Sequence, residues 1–318
     1  MLKRNITEIF APVILIFAVC LIFSACDSIL PKNAKVVSDD DNSKDYDKPK
    51  VIGAIDSKEI TESSGIAASG CNKNVLWTHN DSGDDAFIFA LDLTGRKLGT
   101  WKVANAKNVD WEDIAETKNA NGECFLYIGD IGGNTSARNK FTIYKVREPT
   151  VSGATNSSKK NPLETEAAAA IEIQYPDSRR DAETLMVNSQ TGDIYILSKR
   201  LSEPSAVYRL KAGYDLSKTN TLEKLTDFKV PAVPNGFLTG GDISPDGKRA
   251  IICDYFSAYE LILPDGAKNF DEIWRQKPLV IELGTRAQGE AVGYSADGKS
   301  IYATSEGKNS PLIEVDRK

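Results

Sequence analysis

Glu112-Asp113-Ile114-Ala115, followed after a turn by Leu126-Tyr127-Ile128-Gly129-Asp130, is one of five copies of a single local pattern. Each copy opens on an acidic residue or on Gly-Asp, runs into a short apolar strand, turns, and continues in a second apolar strand that ends in polar residues. The other copies are Glu62-Ser-Ser-Gly-Ile leading to Leu76-Trp77-Thr-His79-Asn80-Asp81, and Glu183-Thr-Leu-Met leading to Ile194-Tyr195-Ile-Leu-Ser-Lys199. Gly241-Asp242-Ile-Ser leads to Ala250-Ile-Ile-Cys-Asp254, and Glu290-Ala-Val-Gly leads to Ile301-Tyr302-Ala-Thr-Ser-Glu306. A period of roughly 50 residues made of short strands belongs to sheets repeated radially about an axis.

Further alternating segments, separated by turn residues, supply the remaining strands. Ala86-Phe-Ile-Phe-Ala-Leu-Asp and Lys97-Leu-Gly-Thr-Trp-Lys-Val complete the first repeat, and corresponding pairs complete the second, third and fourth. The fifth has only Pro311-Leu-Ile-Glu-Val as a third strand. Val51-Ile-Gly-Ala-Ile-Asp, ahead of the first repeat, can fill the vacancy and tie the two ends of the domain together. The expected fold is therefore all-β: a single β-propeller of four-stranded antiparallel blades, closed by the N-terminal strand. The count gives five blades, and six would require an extra pair within the longer third repeat. No segment keeps a 3.6-residue apolar period over three turns, which argues against a helical domain.

The N-terminus reads as a secretory signal. Lys3 and Arg4 precede an apolar run over residues 9–23, short for a membrane span, and Phe23-Ser24-Ala25-Cys26 follows. That ending resembles the bacterial lipobox, which implies cleavage before Cys26 and a diacylglycerol on its thiol, although Phe23 stands where Leu is usual. Residues 1–25 are then a lipoprotein signal, residues 26–50 a charged and disordered tether, and residues 51–318 the propeller. A tether of that length reaches about 25–30 Å. The expected location is the bacterial cell envelope, outside the cytoplasm, with the membrane contacted through the lipid.

A formal charge of −6 argues against nucleic acid or an anionic membrane surface as partner. Of the five cysteines, Cys20 lies in the signal and Cys26 in the lipobox. Cys71 and Cys124 fall in the turn regions of adjacent repeats, where a disulfide between blades is conceivable in an oxidising compartment, and Cys253 reads as a buried thiol.

The motifs Leu76-Trp77-Thr78-His79-Asn80-Asp81-Ser82-Gly83-Asp84, Asp110-Trp111-Glu112-Asp113-Ile114, Asp181-Ala182-Glu183-Thr184-Leu185 and Gly240-Gly241-Asp242-Ile243-Ser244 resemble a widespread group of secreted bacterial β-propeller proteins. The resemblance spans nearly the whole domain and implies fold more than reaction. A looser likeness extends to phytase-like and lactonase-like propellers that use calcium, and architecture by itself does not transfer function.

In a blade, the start of the first strand and the end of the second lie on the same face. Glu62, Glu112, Glu183 and Glu290, with Asp242 near the fourth position, are expected to ring one mouth of the channel, with Asp81, Asp130, Lys199 and Glu306 beside them. Gathered carboxylates need cations, basic side chains or hydrogen bonds to stay ionised. Calcium, with six to eight oxygen ligands, is one answer. Arg179, Arg180, Lys199 and Arg286 are the protein's own candidates, and backbone donors of neighbouring blades are a third. His79, Asn80 and Trp111 are further candidates for touching a ligand. Because His79 is the only histidine, a multi-histidine zinc site is excluded, and no Gly-x-Ser-x-Gly nucleophile elbow occurs. Two functions remain open from the residues. One is a lipid-anchored module that binds a small molecule or an envelope protein, with calcium at the mouth. The other is a metal-dependent hydrolase of phosphate esters or lactones.

Overall fold

The computed structural model describes residues 44–133, 138–178 and 180–318. The signal, Cys26, the tether as far as residue 43, and Arg179 lie outside the described residues. The described strands form five sheets. β1 (Lys50–Ile55) precedes blade one, which consists of β2 (Ser63–Ala68), β3 (Val75–Asn80), β4 (Phe87–Asp92) and β5 (Lys97–Lys102). Blade two is β6 (Trp111–Lys118), β7 (Cys124–Asp130), β8 (Phe141–Arg147) and, after the two-residue β9 (Leu163–Glu164), β10 (Ala169–Gln174). Blade three is β11 (Ala182–Val187), β12 (Ile194–Ser198), β13 (Ser205–Leu210) and, after β14 (Asn220–Thr221), β15 (Glu223–Phe228). Blade four is β16 (Gly240–Ile243), β17 (Arg249–Cys253), β18 (Ser257–Ile262) and β19 (Leu279–Glu282), with a 3-10 turn at Phe270–Arg275 before the last strand. Blade five is β20 (Ala291–Tyr294), β21 (Ser300–Thr304) and β22 (Ser310–Asp316).

The fourth strand of blade five is β1, antiparallel to β22 with Val51 opposite Ile313 and Ile55 opposite Ser310. The inner strands touch in cyclic order, β2 to β6, β11, β16 and β20, and β20 returns to β2. This is a closed five-bladed propeller. Two blades exceed the expected four strands, because β9 pairs in parallel with β5 and β14 in parallel with β10. In both cases a polar loop from the following segment covers an outer edge that would otherwise be open to pairing.

Every residue of β11 and β20 is buried, because an inner strand has a neighbouring blade on each face. The apolar core is accordingly divided among the five interfaces between blades. Trp77, Trp101 and Tyr144 surround Trp111 between blades one and two, with Trp77 edge-on to Trp101 at 5.2 Å. Phe141, Leu185 and Tyr208 lie between blades two and three, and Tyr195, Tyr259 and Trp274 between three and four. Ile251 and Ile301 lie between four and five, and Ile55, Phe89 and Tyr302 between five and one. A disulfide joins Cys71 in the β2–β3 turn to Cys124 at the start of β7, linking adjacent blades across a sequence separation of 53 residues. Cys253 is a buried free thiol.

Residues 44–49, expected to be tether, pack against the propeller. Tyr46 is buried, its hydroxyl donates to Glu260 at 2.5 Å, and Asp47 N–H donates to the Asp316 carbonyl at 2.8 Å. A lone aromatic in a charged stretch is enough to dock residues 44–49 on the propeller, because Glu260 supplies its hydroxyl with a partner inside the core.

Candidate functional site

Strand pairing aligns the five repeats more strictly than their sequence does. Gly65 pairs with His79, Asp113 with Gly129, Thr184 with Leu197, Gly240 with Cys253 and Ala291 with Thr304. The residues immediately before these inner-strand partners are Ser64, Glu112, Glu183, Thr239 and Glu290. Only blades two, three and five therefore place a glutamate at this position. Glu62 precedes a bulge in β2 and lies exposed on the rim. Asp242 lies deeper along β16, near the opposite end of the channel. Its Oδ1 accepts the N–H of Ile243 at 2.8 Å and its Oδ2 that of Tyr294 at 2.9 Å. There it lines a cavity of about 380 Å³ together with Glu116, Lys118, Gln190 and Tyr294.

The mouth itself holds two oxygen triads. Carboxylate oxygens of Asp81, Asp110 and Glu112 lie within 4.8 Å of one another, and so do those of Glu112, Asp181 and Glu183. Glu112 belongs to both. Burial, followed by repulsion from Glu183 and Asp81, raises its carboxyl well above the usual range. Burial likewise raises Glu183, and it carries Asp81 to about 7 and Glu306 to about 9. On the blade three side the protein supplies a cation. Lys199 Nζ donates to both Glu183 oxygens, at 2.7 and 2.5 Å, and stands 3.7 Å from Glu290. Burial alone would lower the pKa of the Lys199 ammonium, yet these two carboxylates raise it. Gln288 Nε2 donates to Glu290 at 3.0 Å and to Glu306 at 2.6 Å, which completes the blade five side.

Just after β7 the backbone at Gly132 passes directly against the triads, and only a glycine permits it. A Cβ there would lie 1.9 Å from Glu112 Oε1 and 2.6 Å from the Asp110 carboxyl. Next along the loop, Gly133 N–H donates to Asp181 Oδ1 at 2.9 Å. The donors of both triads are all carboxylate oxygens, the set a hard divalent cation takes. Cys71, Cys124 and Glu148 also lie close together, but the disulfide consumes both thiols.

Several expected ligand contacts are occupied elsewhere. His79 is fully buried, edge-on to Trp111 at 5.7 Å, with Nδ1 2.9 Å from the Asn80 carbonyl, and burial lowers its pKa to about 4. Trp111 is buried in the interface between blades one and two, and its Nε1 donates to the Lys107 carbonyl at 3.0 Å. Asp130 Oδ1 accepts from Asp110 N–H at 3.0 Å and from Arg138 at 2.6 Å. Asn80 Oδ1 accepts from the backbone of Thr61 and Glu62, so both residues at the end of the second strand fasten the segment that enters the inner strand. Arg286 is buried against the carbonyls of Asp254 and Thr304, and Arg180 pairs outward with Tyr208 and Asp177. Asp110 and Asp181 are the site residues that the repeat left unassigned. The spacing Asp-x-Glu in both Asp110-Trp111-Glu112 and Asp181-Ala182-Glu183 is the signal that marks them.

No protein-family model matches the chain, and no curated protein matches it in sequence. Among solved structures it is similar to a gluconolactonase from Xanthomonas campestris at 12% identity, over 85% of this chain and 89% of that one, with a TM-score of 0.45. At that distance no residue role carries over.

At the far end of the channel, burial raises Asp242 to about 7 and Glu116 to about 8, from ordinary values of 3.8 and 4.5. Folded protein thus keeps protons that the unfolded chain releases. The stabilisation is complete below about pH 4 and is lost as pH rises through about 8. In chelator, the unfolding free energy from urea titration is expected to fall between pH 5 and pH 9, and Glu116→Gln should narrow the difference by on the order of 1–3 kcal/mol. A wild-type protein equally stable at both pH values would contradict this.

Proposed function

We propose that this chain is a lipid-anchored envelope propeller that binds a ligand at its channel mouth with the help of a divalent cation, calcium by its donor chemistry. The observation that carries the reading is the placement of Glu112 in both oxygen triads against backbone that only a glycine allows so close. Lys199 neutralises the Glu183 and Glu290 side, whereas the oxygens of Asp81, Asp110, Glu112 and Asp181 form the part of the mouth suited to an added ion. Oxygen-only donors favour calcium over zinc or copper. Calorimetric titration of the chelated protein with calcium should show saturable binding. Glu112→Gln and Gly132→Ala should each weaken it at least about tenfold while the fold, followed by circular dichroism, is retained. Absence of binding in the parent protein at millimolar calcium refutes the metal reading.

A second reading is a hydrolase of phosphate esters or lactones, and the position of Lys199 favours it. Its ammonium, held by Glu183 at the same mouth, offers a fixed positive partner to an anionic oxygen. When bound, the ion would polarise a scissile carbonyl or phosphoryl group. Calcium-dependent turnover of a lactone and phosphate-ester panel, lost in both Glu112→Gln and Lys199→Met, would establish this activity, and a panel without turnover would remove it.

Anchoring rests on the lipobox-like Phe23-Ser24-Ala25-Cys26. Expressed in a bacterium, the protein should partition into detergent with the membrane fraction and incorporate labelled fatty acid, and Cys26→Ser should abolish both. Retention of the label in that variant would refute lipidation at Cys26.

A further inference from the structure

One guanidinium supports both oxygen triads from behind. Arg138 lies between β7 and β8, and its side chain is mostly buried. Nη1 donates to Asp130 Oδ1 at 2.6 Å and Nη2 to the Gly132 carbonyl at 2.7 Å, while the guanidinium carbon stands 5.0 Å from the centre of the Phe141 ring. Two directed hydrogen bonds and an aromatic face fix a planar fork in a way that an ammonium group does not copy.

Both groups gripped by Arg138 pass its position on to Asp110. Asp130 Oδ1 also accepts the Asp110 N–H at 3.0 Å, and the Gly132 N–H donates to the Asp110 carbonyl at 3.2 Å. The backbone of Asp110 is thereby held at its donor and at its acceptor. One residue further on, Gly133 N–H donates to Asp181 Oδ1 at 2.9 Å, which carries the same support from blade two to the second triad. Lys199 treats the acids differently. It bonds Glu183 itself, whereas the terminal nitrogens of Arg138 bond Asp130 and Gly132 and leave the triad oxygens to other partners.

We propose that Arg138 is a positioning residue of the cation site: through Asp130 and the backbone of Gly132 and Gly133 it sets where Asp110 and Asp181 stand, without touching the ion. Groups that lie behind metal ligands orient them, and losing one typically costs about 10–100-fold in metal affinity. The inference rests on the cation reading given above. It adds that the spacing of the two triads depends on the directions of two hydrogen bonds and is not a matter of positive charge alone.

The test combines calcium calorimetry with terbium luminescence on the full chain. Terbium, a hard cation that prefers oxygen, stands in for calcium, and its emission lifetimes in water and in deuterium oxide count the waters on the ion. Arg138→Met and Arg138→Lys should each weaken calcium binding about tenfold or more, and terbium bound to either should carry about one more water than in the parent, because a displaced carboxylate yields its place to solvent. Arg138→Lys keeps the test decisive if Arg138→Met is too unstable to purify. Arg147→Met removes the same charge from the other end of β8, where Arg147 pairs with Glu123 at 3.1 Å. It should bind within about twofold of the parent. Parent-like binding by Arg138→Lys would overturn the proposal, since charge alone would then suffice. Weaker binding with an unchanged water count would overturn it as well, because a general loss of stability lowers occupancy without moving a ligand. If the parent binds neither ion, the cation reading fails and this inference with it; if the parent binds and both Arg138 variants match it, the inference alone fails.

Discussion

The carboxyl group of Asp113 is where the blades meet. Fully buried on β6, it accepts N–H groups from Ile114 on its own strand at 2.8 Å, from Leu185 on β11 at 2.9 Å and from Gly241 on β16 at 3.3 Å. A Cβ on Gly65 of β2 would lie 2.8 Å from its Oδ1, so a fourth inner strand packs against the same group without a side chain. Burial raises the acid well above its ordinary range, opposed by the three backbone donors. Because the donors belong to three blades, the channel is bridged at this depth by hydrogen bonds rather than by apolar contact. Each of these inner-strand N–H groups would otherwise be buried without a partner, at a cost of about 1–3 kcal/mol. Asp242 repeats the device between blades four and five.

This bridge divides the acids of the channel into two kinds. Those deep in it, Asp113 and Asp242, are satisfied by backbone donors and belong to the architecture. Those at the mouth have little backbone to bond, because the inner strands begin there. Their charge is met on one side by Lys199, with Phe237 and Tyr255 behind it, and on the other side the oxygens converge on Glu112. The asymmetry follows from the residues at the ends of the second strands. Asp81, Ile131, Lys199, Tyr255 and Glu306 occupy corresponding positions in the five blades, and no two are alike. A ring of nearly identical strands thereby presents an uneven face, which a specific ligand requires.

Blade number, strand content and the closing role of β1 were legible in the sequence, since a period of short apolar strands admits few arrangements and the last repeat lacks a strand. Which acids meet was legible only in part. Glu62 and Asp242 matched the repeat in type, yet strand pairing puts Ser64 and Thr239 at the ring position of their blades, two residues after Glu62 and three before Asp242. Asp110 and Asp181 carried a spacing signal in only two of the five repeats, where no period reinforces it. His79 and Trp111 sat in a polar context in the sequence but turned into the interface between blades, as large rings do when a neighbouring sheet gives them area to bury.

The sequence by itself determined a closed radial array of β-blades and a concentration of carboxylates at one end of its channel. It determined these because each is a property of local pattern: periodicity, composition and strand polarity. Only the tertiary structure decided that Cys71 meets Cys124, that Tyr46 belongs to the domain, and that Glu112 joins two oxygen triads while Asp113, its immediate neighbour, bonds the backbone of two other blades. The ladder of β6 is bulged between Trp111 and Asp113, which aims the two neighbouring side chains apart, and what each meets is set by other blades far away in sequence.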